Sequence, residues 1–268
     1  MSSKQKKIGL ITTTSLVVGN MIGAGIFLLP SSLGEFGSIS LLGWIFTATG
    51  AIILAKIFSN FSKIIINKSG GPYTYSKAGF GDFIGFLVAW GYWISVWISN
   101  AAIAIAIIGA LSFFFPILET NSIIAVTVGL SMIWFFTWIN TKGVKTSGKV
   151  QVVTTVLKLV PLIFVIVIGG FFFSLDNFPE FNLTGESNFA TFPVVAALTL
   201  YAFLGIESAS IPAENVENPE KIIPKATMLG TIISTCIYIF GTIVLFGILP
   251  VDILQNSAAP FAEAGKII

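Results

Sequence analysis

Seven long apolar stretches decide what this 268-residue chain can fold into. They cover approximately residues 8–33, 39–64, 80–115, 122–140, 150–174, 188–212 and 226–249. About twenty apolar residues cross a bilayer as a helix, and in lipid a helix satisfies its own backbone polar groups. The sequence therefore predicts an all-α polytopic membrane protein with these seven spans, called spans 1 to 7 below, and an eighth that starts near Ala258.

The composition excludes several other classes of protein. The chain is 55% hydrophobic and 10% charged, whereas about a quarter of the residues of a soluble domain are charged. It has one cysteine, Cys236, and no histidine, which excludes an internal disulfide and a cysteine-based metal site. We expect no cofactor, no metal and no nucleic-acid partner, and we expect the lipid bilayer to surround the chain.

The lysines predict how the chain is oriented. They precede span 1 and fill the loops after spans 2, 4 and 6, whereas the alternate loops carry acidic residues and no lysine. Because cytoplasmic loops are enriched in basic residues, the sequence predicts a bacterial inner-membrane protein with a cytoplasmic N-terminus. The lysines that carry this prediction are Lys4, Lys6, Lys7, Lys63, Lys68, Lys77, Lys142, Lys145, Lys149, Lys221 and Lys225.

Two spans are interrupted at mid-depth by small or helix-breaking residues. Span 1 is interrupted at residues 19–25 and span 6 at residues 199–208. The two spans run in opposite directions, which is typical of an inverted repeat with discontinuous helices. Unwound backbone at membrane depth is tolerated where it lines a cavity or meets a ligand. We therefore predict a site in which N–H groups after the first break bind a carboxylate and carbonyl groups at the second accept from an ammonium.

Two other interpretations of the glycines stay open at this point. Gly19 and Gly23 have the spacing of small residues at contacts between membrane helices. A phosphate-binding loop also uses glycines, but it needs a preceding strand and a lysine, and both are missing here.

Several motifs resemble one known family. They are "GNMIGAGIFLLP" in span 1, "GGPYTYSKAGFG" before span 3, and "YAFLGIESAS" in span 6 followed by "ENVENPEKIIPKA". Together they resemble the amino acid–polyamine–organocation superfamily, in particular the bacterial basic amino acid and polyamine antiporters. The resemblance implies the N-terminal part of a leucine-transporter-like inverted-repeat fold. Residues 1–175 are then the first five-helix repeat, and residues 176–268 are an incomplete second repeat with spans 6, 7 and the start of 8.

The resemblance also implies a set of substrate-binding residues. Tyr201 stands where those antiporters place a tryptophan over the substrate, so the side-chain preference is open. The predicted substrate-binding residues are Asn20, Met21, Ile22, Gly23, Ala24, Gly25, Tyr92, Trp93, Asn100, Tyr201, Ala202 and Gly205.

Three ionisable residues lie well inside the predicted spans: Lys56, Lys158 and Glu207. Such residues usually face the interior of a helix bundle. Lys56 is interpreted as a side chain that reaches toward the membrane surface, and the same interpretation is open for Lys158. The resemblance gives Lys158 a second interpretation, a proton-coupling amine against the unwound part of span 1. Glu207 is predicted to gate the pathway, to bind a cationic side chain, or only to cap the helix that follows.

The function implied is an amino acid or polyamine permease, not an enzyme, that works by antiport or proton-coupled uptake with alternating access. We expect the chain to be a truncated one, completed by a second fragment that carries helices 8–12. The alternative is a non-transporting fragment or an interaction subunit of a split transporter.

Overall fold

A computed structural model describes residues 7–112, 114–257 and 259–268. The predictions for Lys4, Lys6 and Ala258 lie outside these residues, and of Ala24 only the backbone is described. The described α-helices are α1 (Leu10–Met21), α2 (Ala24–Gly34), α3 (Ile39–Ile64), α4 (Pro72–Ser112), α5 (Ile117–Thr120), α6 (Ser122–Thr141), α7 (Val144–Gly169), α8 (Asn188–Tyr201), α9 (Pro219–Ile248), α10 (Val251–Gln255) and α11 (Pro260–Ile267).

The prediction of a multi-pass α-helical membrane protein is confirmed. Within the described ranges, seven helical stretches are long and apolar enough to cross a bilayer, and each matches one predicted span. The first of them combines α1 with α2, and the sixth combines α8 with a short 3₁₀ helix, Ile206–Ala209.

Both predicted interruptions are present in the structure. In span 1 the helix stops at Met21, because Ile22 has a ψ of 76° and Gly23 is extended, with φ −100° and ψ −153°. In span 6, α8 ends at Tyr201 and the chain turns through Gly205, whose φ of 109° is left-handed. Glycine adopts that conformation without the clash that a Cβ causes. The breaks therefore occur where the sequence places small residues.

The motif before span 3 forms a structured element of its own. Sequence analysis starts span 3 at residue 80, whereas helix α4 starts at Pro72 and bends sharply at Gly81, with φ 83° and ψ −176°. The glycines that precede α4 dock on the chain after span 6, where the Gly70 N–H donates to the Ile211 carbonyl at 3.0 Å. This contact holds the entrance of span 3 against the end of span 6.

The core lies between α1, α3, α8 and α9. Helix α9 packs against both α1 and α3, and α3 also packs against α8. Trp44 on α3 is fully buried, stacks on Tyr238 of α9 at a ring-centroid distance of 5.0 Å, and donates from Nε1 to Thr242 Oγ1 at 3.0 Å. Thr47 of α3 donates to Thr199 of α8 at 3.1 Å. Helices α3 and α9 therefore form the scaffold that holds the two interrupted spans.

On the side opposite the N-terminal segment, a loop covers the helix ends. The N–H groups of Ser38 and Ile39 donate to the carbonyls of Glu180 and Phe181 at 2.9 and 2.8 Å. Asn177 donates from Nδ2 to the last carbonyls of α9, Gly247 at 3.2 Å and Ile248 at 3.1 Å. This loop ties spans 1, 2 and 7 together on that side.

Candidate functional site

Helix α7 places a row of side-chain donors along α1. Gln151 Nε2 and Thr155 Oγ1 each donate to the Ser15 carbonyl at 3.2 Å. One turn further along, Lys158 Nζ donates to the carbonyls of Gly19 at 3.2 Å and Ile22 at 3.1 Å. A helix that ends early leaves its last carbonyls without partners in the helix. The Lys158 ammonium therefore binds the carbonyls that the break in span 1 sets free, as the resemblance implies for this position.

The glycines of span 1 divide into two kinds. A Cβ on Gly19 would overlap Gln151 and lie 2.6 Å from Thr155 Oγ1, so glycine is needed there for packing. A Cβ on Gly23 or Gly25 would meet only ordinary contacts, at 3.9 and 3.7 Å. The helix-packing interpretation therefore fits Gly19, whereas no neighbouring side chain demands glycine at Gly23 or Gly25. These two glycines flank the N-terminus of α2, which no side chain caps.

Tyr238 connects the two breaks. Its hydroxyl oxygen lies 2.6 Å from the Met21 carbonyl of span 1 and 2.8 Å from the Ala202 carbonyl of span 6. A phenol has one proton, so the hydroxyl donates to one of these carbonyls at a time. Sequence analysis missed this residue, because a tyrosine inside an apolar helix carries no local signal for acceptors 217 and 36 residues away.

We expect Tyr238→Phe to loosen both breaks together. The change keeps the ring that stacks on Trp44 and removes the hydroxyl that both carbonyls share. A lost hydrogen bond to a buried acceptor costs about 1–3 kcal/mol, so amide hydrogen exchange in residues 18–25 and 200–208 should rise about tenfold. Thr231→Val is the control, since that buried hydroxyl bonds only to Thr227 of its own helix. Unchanged exchange in both segments would contradict the connecting role of Tyr238.

Gly205 brings the two breaks into direct contact. A Cβ on this residue would lie 3.0 Å from the Asn20 Cβ and 3.1 Å from both the Asn20 carbonyl carbon and the Met21 nitrogen. The backbones of the two interrupted spans thus touch where Gly205 turns, and a larger residue has no space there.

A cavity of about 600 Å³ opens beside this contact. It extends from Asn20 and Gly205 at the breaks to Ile8, Pro72 and Val144 near the N-terminal segment. Its described wall contains the Glu207 carboxylate and no lysine. The polar residues of this wall are Asn20, Tyr92, Ser95, Ser99, Asn100, Ser147, Glu207 and Ser208.

Tyr92 and Glu207 meet across the cavity. The Tyr92 hydroxyl donates to Glu207 Oε1 at 3.2 Å and so links α4 with the 3₁₀ helix of span 6. Tyr92 shares one face of α4 with Val96, Ser99 and Ile103, all of which line the cavity. Because a carboxylate can accept several hydrogen bonds, Glu207 keeps oxygen lone pairs for a further donor, such as an ammonium.

Apart from Lys158, the predicted site residues fall into four groups. Asn20, Tyr92, Asn100, Gly205 and Glu207 line the cavity. Three others contribute to the breaks from inside the core: Met21, Ile22 and Ala202 are buried, and their carbonyls accept from Tyr238 or Lys158. Gly23, Ala24 and Gly25 lie at the start of α2.

The remaining predicted residues, Trp93 and Tyr201, lie on other faces. Trp93 is about 100° around α4 from Tyr92 and packs between Trp90 and Trp97, with ring centroids at 5.4 and 6.2 Å. Tyr201 is 60% exposed. Thr199, two residues earlier, lies on the opposite side of α8 and faces α3. In this structure neither side chain is part of the cavity wall, and their contact with substrate stays a prediction.

The described residues contain no group of three or more cysteine, histidine or acidic residues arranged to hold a metal ion.

Comparison with known proteins places the chain in a family. The family model described as amino acid permease matches residues 8–266. Similar curated proteins include the putrescine transporter PotE of Haemophilus influenzae, which is 38% identical over 271 residues. The alignment covers 98% of this chain and 60% of the relative. The cadaverine/lysine antiporter of Escherichia coli K12 is 34% identical over 270 residues, which cover 99% of this chain and 60% of that protein.

A third relative is the arginine/ornithine antiporter of Pseudomonas aeruginosa, 35% identical over 257 residues that cover 92% of this chain and 52% of the relative. The chain thus spans between about half and 60% of the length of these relatives. All three are named as transporters or antiporters and not as enzymes. The seven apolar helices, the two interrupted spans and the family match lead to one conclusion: the chain belongs to the amino acid permease family.

Proposed function

We propose that this chain forms the substrate-binding part of a permease for basic amino acids or diamines. The observation that carries the proposal is the Glu207 carboxylate, held by Tyr92 on the wall of a cavity whose described residues include no lysine. A carboxylate on the wall of a cavity favours a cationic ligand, and charge-assisted hydrogen bonds are about twice as strong as neutral ones. The substrate's ammonium would bind at Glu207.

The N-terminus of α2 supports a second contact for substrates that carry a carboxylate. The first N–H groups of a helix have no partner within it and carry partial positive charge. Gly23 and Gly25 have space beside their Cα atoms. In the proposed site, the N–H groups of Ala24 and Gly25 bind the carboxylate of an amino acid, and a diamine leaves this end empty. The Gly23 N–H donates to the Met21 carbonyl at 2.9 Å and would have to leave that partner to join them.

The relatives support this substrate class. Their names give putrescine, cadaverine, lysine, arginine and ornithine as substrates. These molecules share a cationic nitrogen at the end of a flexible carbon chain and differ in whether they carry a carboxylate. The proposed site matches this pattern. All of these molecules can use the contact at Glu207, and only the amino acids can use the contact at the start of α2.

The proposed transport cycle is alternating access. The cavity opens on the side of the N-terminal segment, and the loop after α7 covers the opposite helix ends. The lysine-rich loops favour a cytoplasmic N-terminus in a bacterial inner membrane, which makes this conformation inward-facing. In the proposed fold, residues 1–175 are the first repeat and residues 176–268 are part of the second.

Lys158 suits either of two coupling mechanisms. Its ammonium donates to two carbonyls in the unwound part of span 1, so a change in its protonation would alter these two hydrogen bonds. In a proton-coupled permease this change drives the cycle, and in an exchanger the lysine is a fixed structural cation. We also propose that transport uses the part of the relatives that this chain does not match.

Glu207→Gln tests the cation contact. The variant keeps the side-chain shape and removes the charge, so the affinity for cadaverine should fall about tenfold, the value of one charge-assisted hydrogen bond. Equilibrium binding of radiolabelled cadaverine to the purified chain in lipid nanodiscs measures this. Glu186→Gln is the control, because that carboxylate lies in the loop before α8, outside the cavity wall. Equal affinity in wild type and Glu207→Gln would contradict the proposal.

A further inference from the structure

A second, smaller cavity lies between α1, α6 and α7. Its volume is about 150 Å³, and its wall includes polar side chains from two helices, Asn140 on α6 and Gln151 and Thr154 on α7. Leu16 and Ser147 belong to the walls of both cavities. The small cavity, called the side branch below, therefore adjoins the larger cavity, called the substrate cavity, at these two residues.

Three wall residues of the branch lie on a polar face of α7 that continues to Lys158, and Lys158 itself is not among the described wall residues. Ser147, Gln151, Thr154 and Lys158 are spaced by four, three and four residues, which places them on one face of the helix. Thr154 lies one turn before Lys158, and the whole row spans about 16 Å at a rise of about 1.5 Å per residue. Polar side chains in such a row are costly in lipid unless they meet protein or water.

The lysine has hydrogen-bonding capacity for water. An ammonium has three N–H donors, and the described contacts direct it to the carbonyls of Gly19 and Ile22. Water needs a polar site with roughly 30 Å³ for each molecule and two to four partners. The branch has this volume, and its wall supplies the partners.

We propose that this side branch is a hydrated route that brings water to Lys158 separately from the substrate cavity. The inference rests on the proposed function, because it gives the lysine a way to exchange its proton while substrate occupies the site beside Glu207. The substrate would then not need to leave before the lysine changes its protonation.

Few other ionisable groups lie on the helices packed against α7. Helices α1 and α6 contain none. Those on α9 are Glu220, Lys221, Lys225, Cys236 and Tyr238, and those on α11 are Glu263 and Lys266, which pair with each other at 2.9 Å. In the proposed route, water in the branch is the proton partner of Lys158.

Acetylation of Lys158 by acetic anhydride, followed by mass spectrometry of the purified chain in nanodiscs, tests the route. Filling the branch with Thr154→Leu should slow acetylation of Lys158 about tenfold, because the anhydride acylates only the neutral amine and the ammonium loses its proton most readily to water. Val156→Leu adds bulk to an exposed face of the same helix and is the matched control. Lys142, outside the membrane helices, is the internal reference. Thr154→Val, which removes only the hydroxyl, is a second variant in case the leucine prevents folding.

The same reaction with saturating cadaverine separates the two routes. Because the amines of cadaverine also consume the anhydride, the rate of Lys158 acetylation is given relative to that of Lys142 with and without cadaverine. Acetylation that continues at the wild-type rate supports the branch, whereas full protection of Lys158 by cadaverine would mean that water arrives through the substrate cavity and would overturn the inference. An unchanged rate in Thr154→Leu would overturn it as well. Failure of cadaverine to bind the wild-type chain would instead count against the proposed function, and the Thr154 comparison would still decide the branch.

Discussion

Gly205→Ala is expected to reduce substrate binding about 100-fold, to near the limit of detection. Gly205 has a φ of 109°, which costs a residue with a Cβ about 1–2 kcal/mol. The new methyl group would also press on backbone atoms of Asn20 and Met21 at 3.1 Å, and overpacking of this kind costs about 1–3 kcal/mol. Backbone atoms cannot turn aside as the end of a flexible side chain does. We therefore expect the methyl group to push the two interrupted segments apart. Equilibrium binding of radiolabelled cadaverine and lysine measures the effect.

Gly185→Ala is the matched control for this experiment. Gly185 also has a positive φ, 73°, but a Cβ there would meet nothing within 4 Å. The control therefore carries the conformational strain without the contact between breaks, and it should bind substrate as the wild type does. Equal binding by Gly205→Ala and Gly185→Ala would mean that the contact between the breaks does not shape the site.

Lys158→Met is the second variant with a large expected effect. It removes the ammonium from the carbonyls of Gly19 and Ile22 and leaves both acceptors without this donor. Hydrogen bonds to charged groups contribute about 1.5–3 kcal/mol each, so binding should weaken about 100-fold. Under the proton-coupling mechanism, the binding that remains should no longer vary with pH. Binding isotherms across a range of pH measure both effects.

Lys56→Met is the control for Lys158→Met. Lys56 is an exposed lysine in another membrane helix, α3, so its replacement removes a lysine without touching the break. It should leave affinity and pH dependence as they are. A Lys158→Met chain that keeps the wild-type affinity and pH dependence would remove the proton-switch proposal and leave Lys158 as a side chain that only hydrogen-bonds the carbonyls of Gly19 and Ile22.

The positions of the breaks could be predicted because their causes are local. Glycines and polar residues at one depth of an apolar span mark an interruption by themselves, and the structure has its non-helical residues at Ile22, Gly23 and Gly205. Lys158 could also be singled out, because a charge inside a span needs a partner. Its partners could not be read from the residues alone, and only the family resemblance pointed to span 1.

The contacts between distant segments were beyond local reasoning. Tyr238 is one of many apolar-looking residues of α9, and its role depends on the two carbonyls that the fold brings to its hydroxyl. Tyr201 shows the opposite case, since the family resemblance predicts a substrate contact for it, whereas its side chain lies outside the described cavity wall. The direction of a side chain around a helix depends on which face the core buries, and here Thr199 takes the inward face of α8.

The central claim is that the two breaks and Glu207 form one site for a cationic amine. The most direct test is equilibrium binding of radiolabelled lysine to the purified wild-type chain, with ornithine, arginine, putrescine, cadaverine and leucine as competitors. Our account predicts saturable binding that all the cationic compounds displace and leucine does not. Leucine competing as well as ornithine, or no saturable binding of lysine, would contradict it.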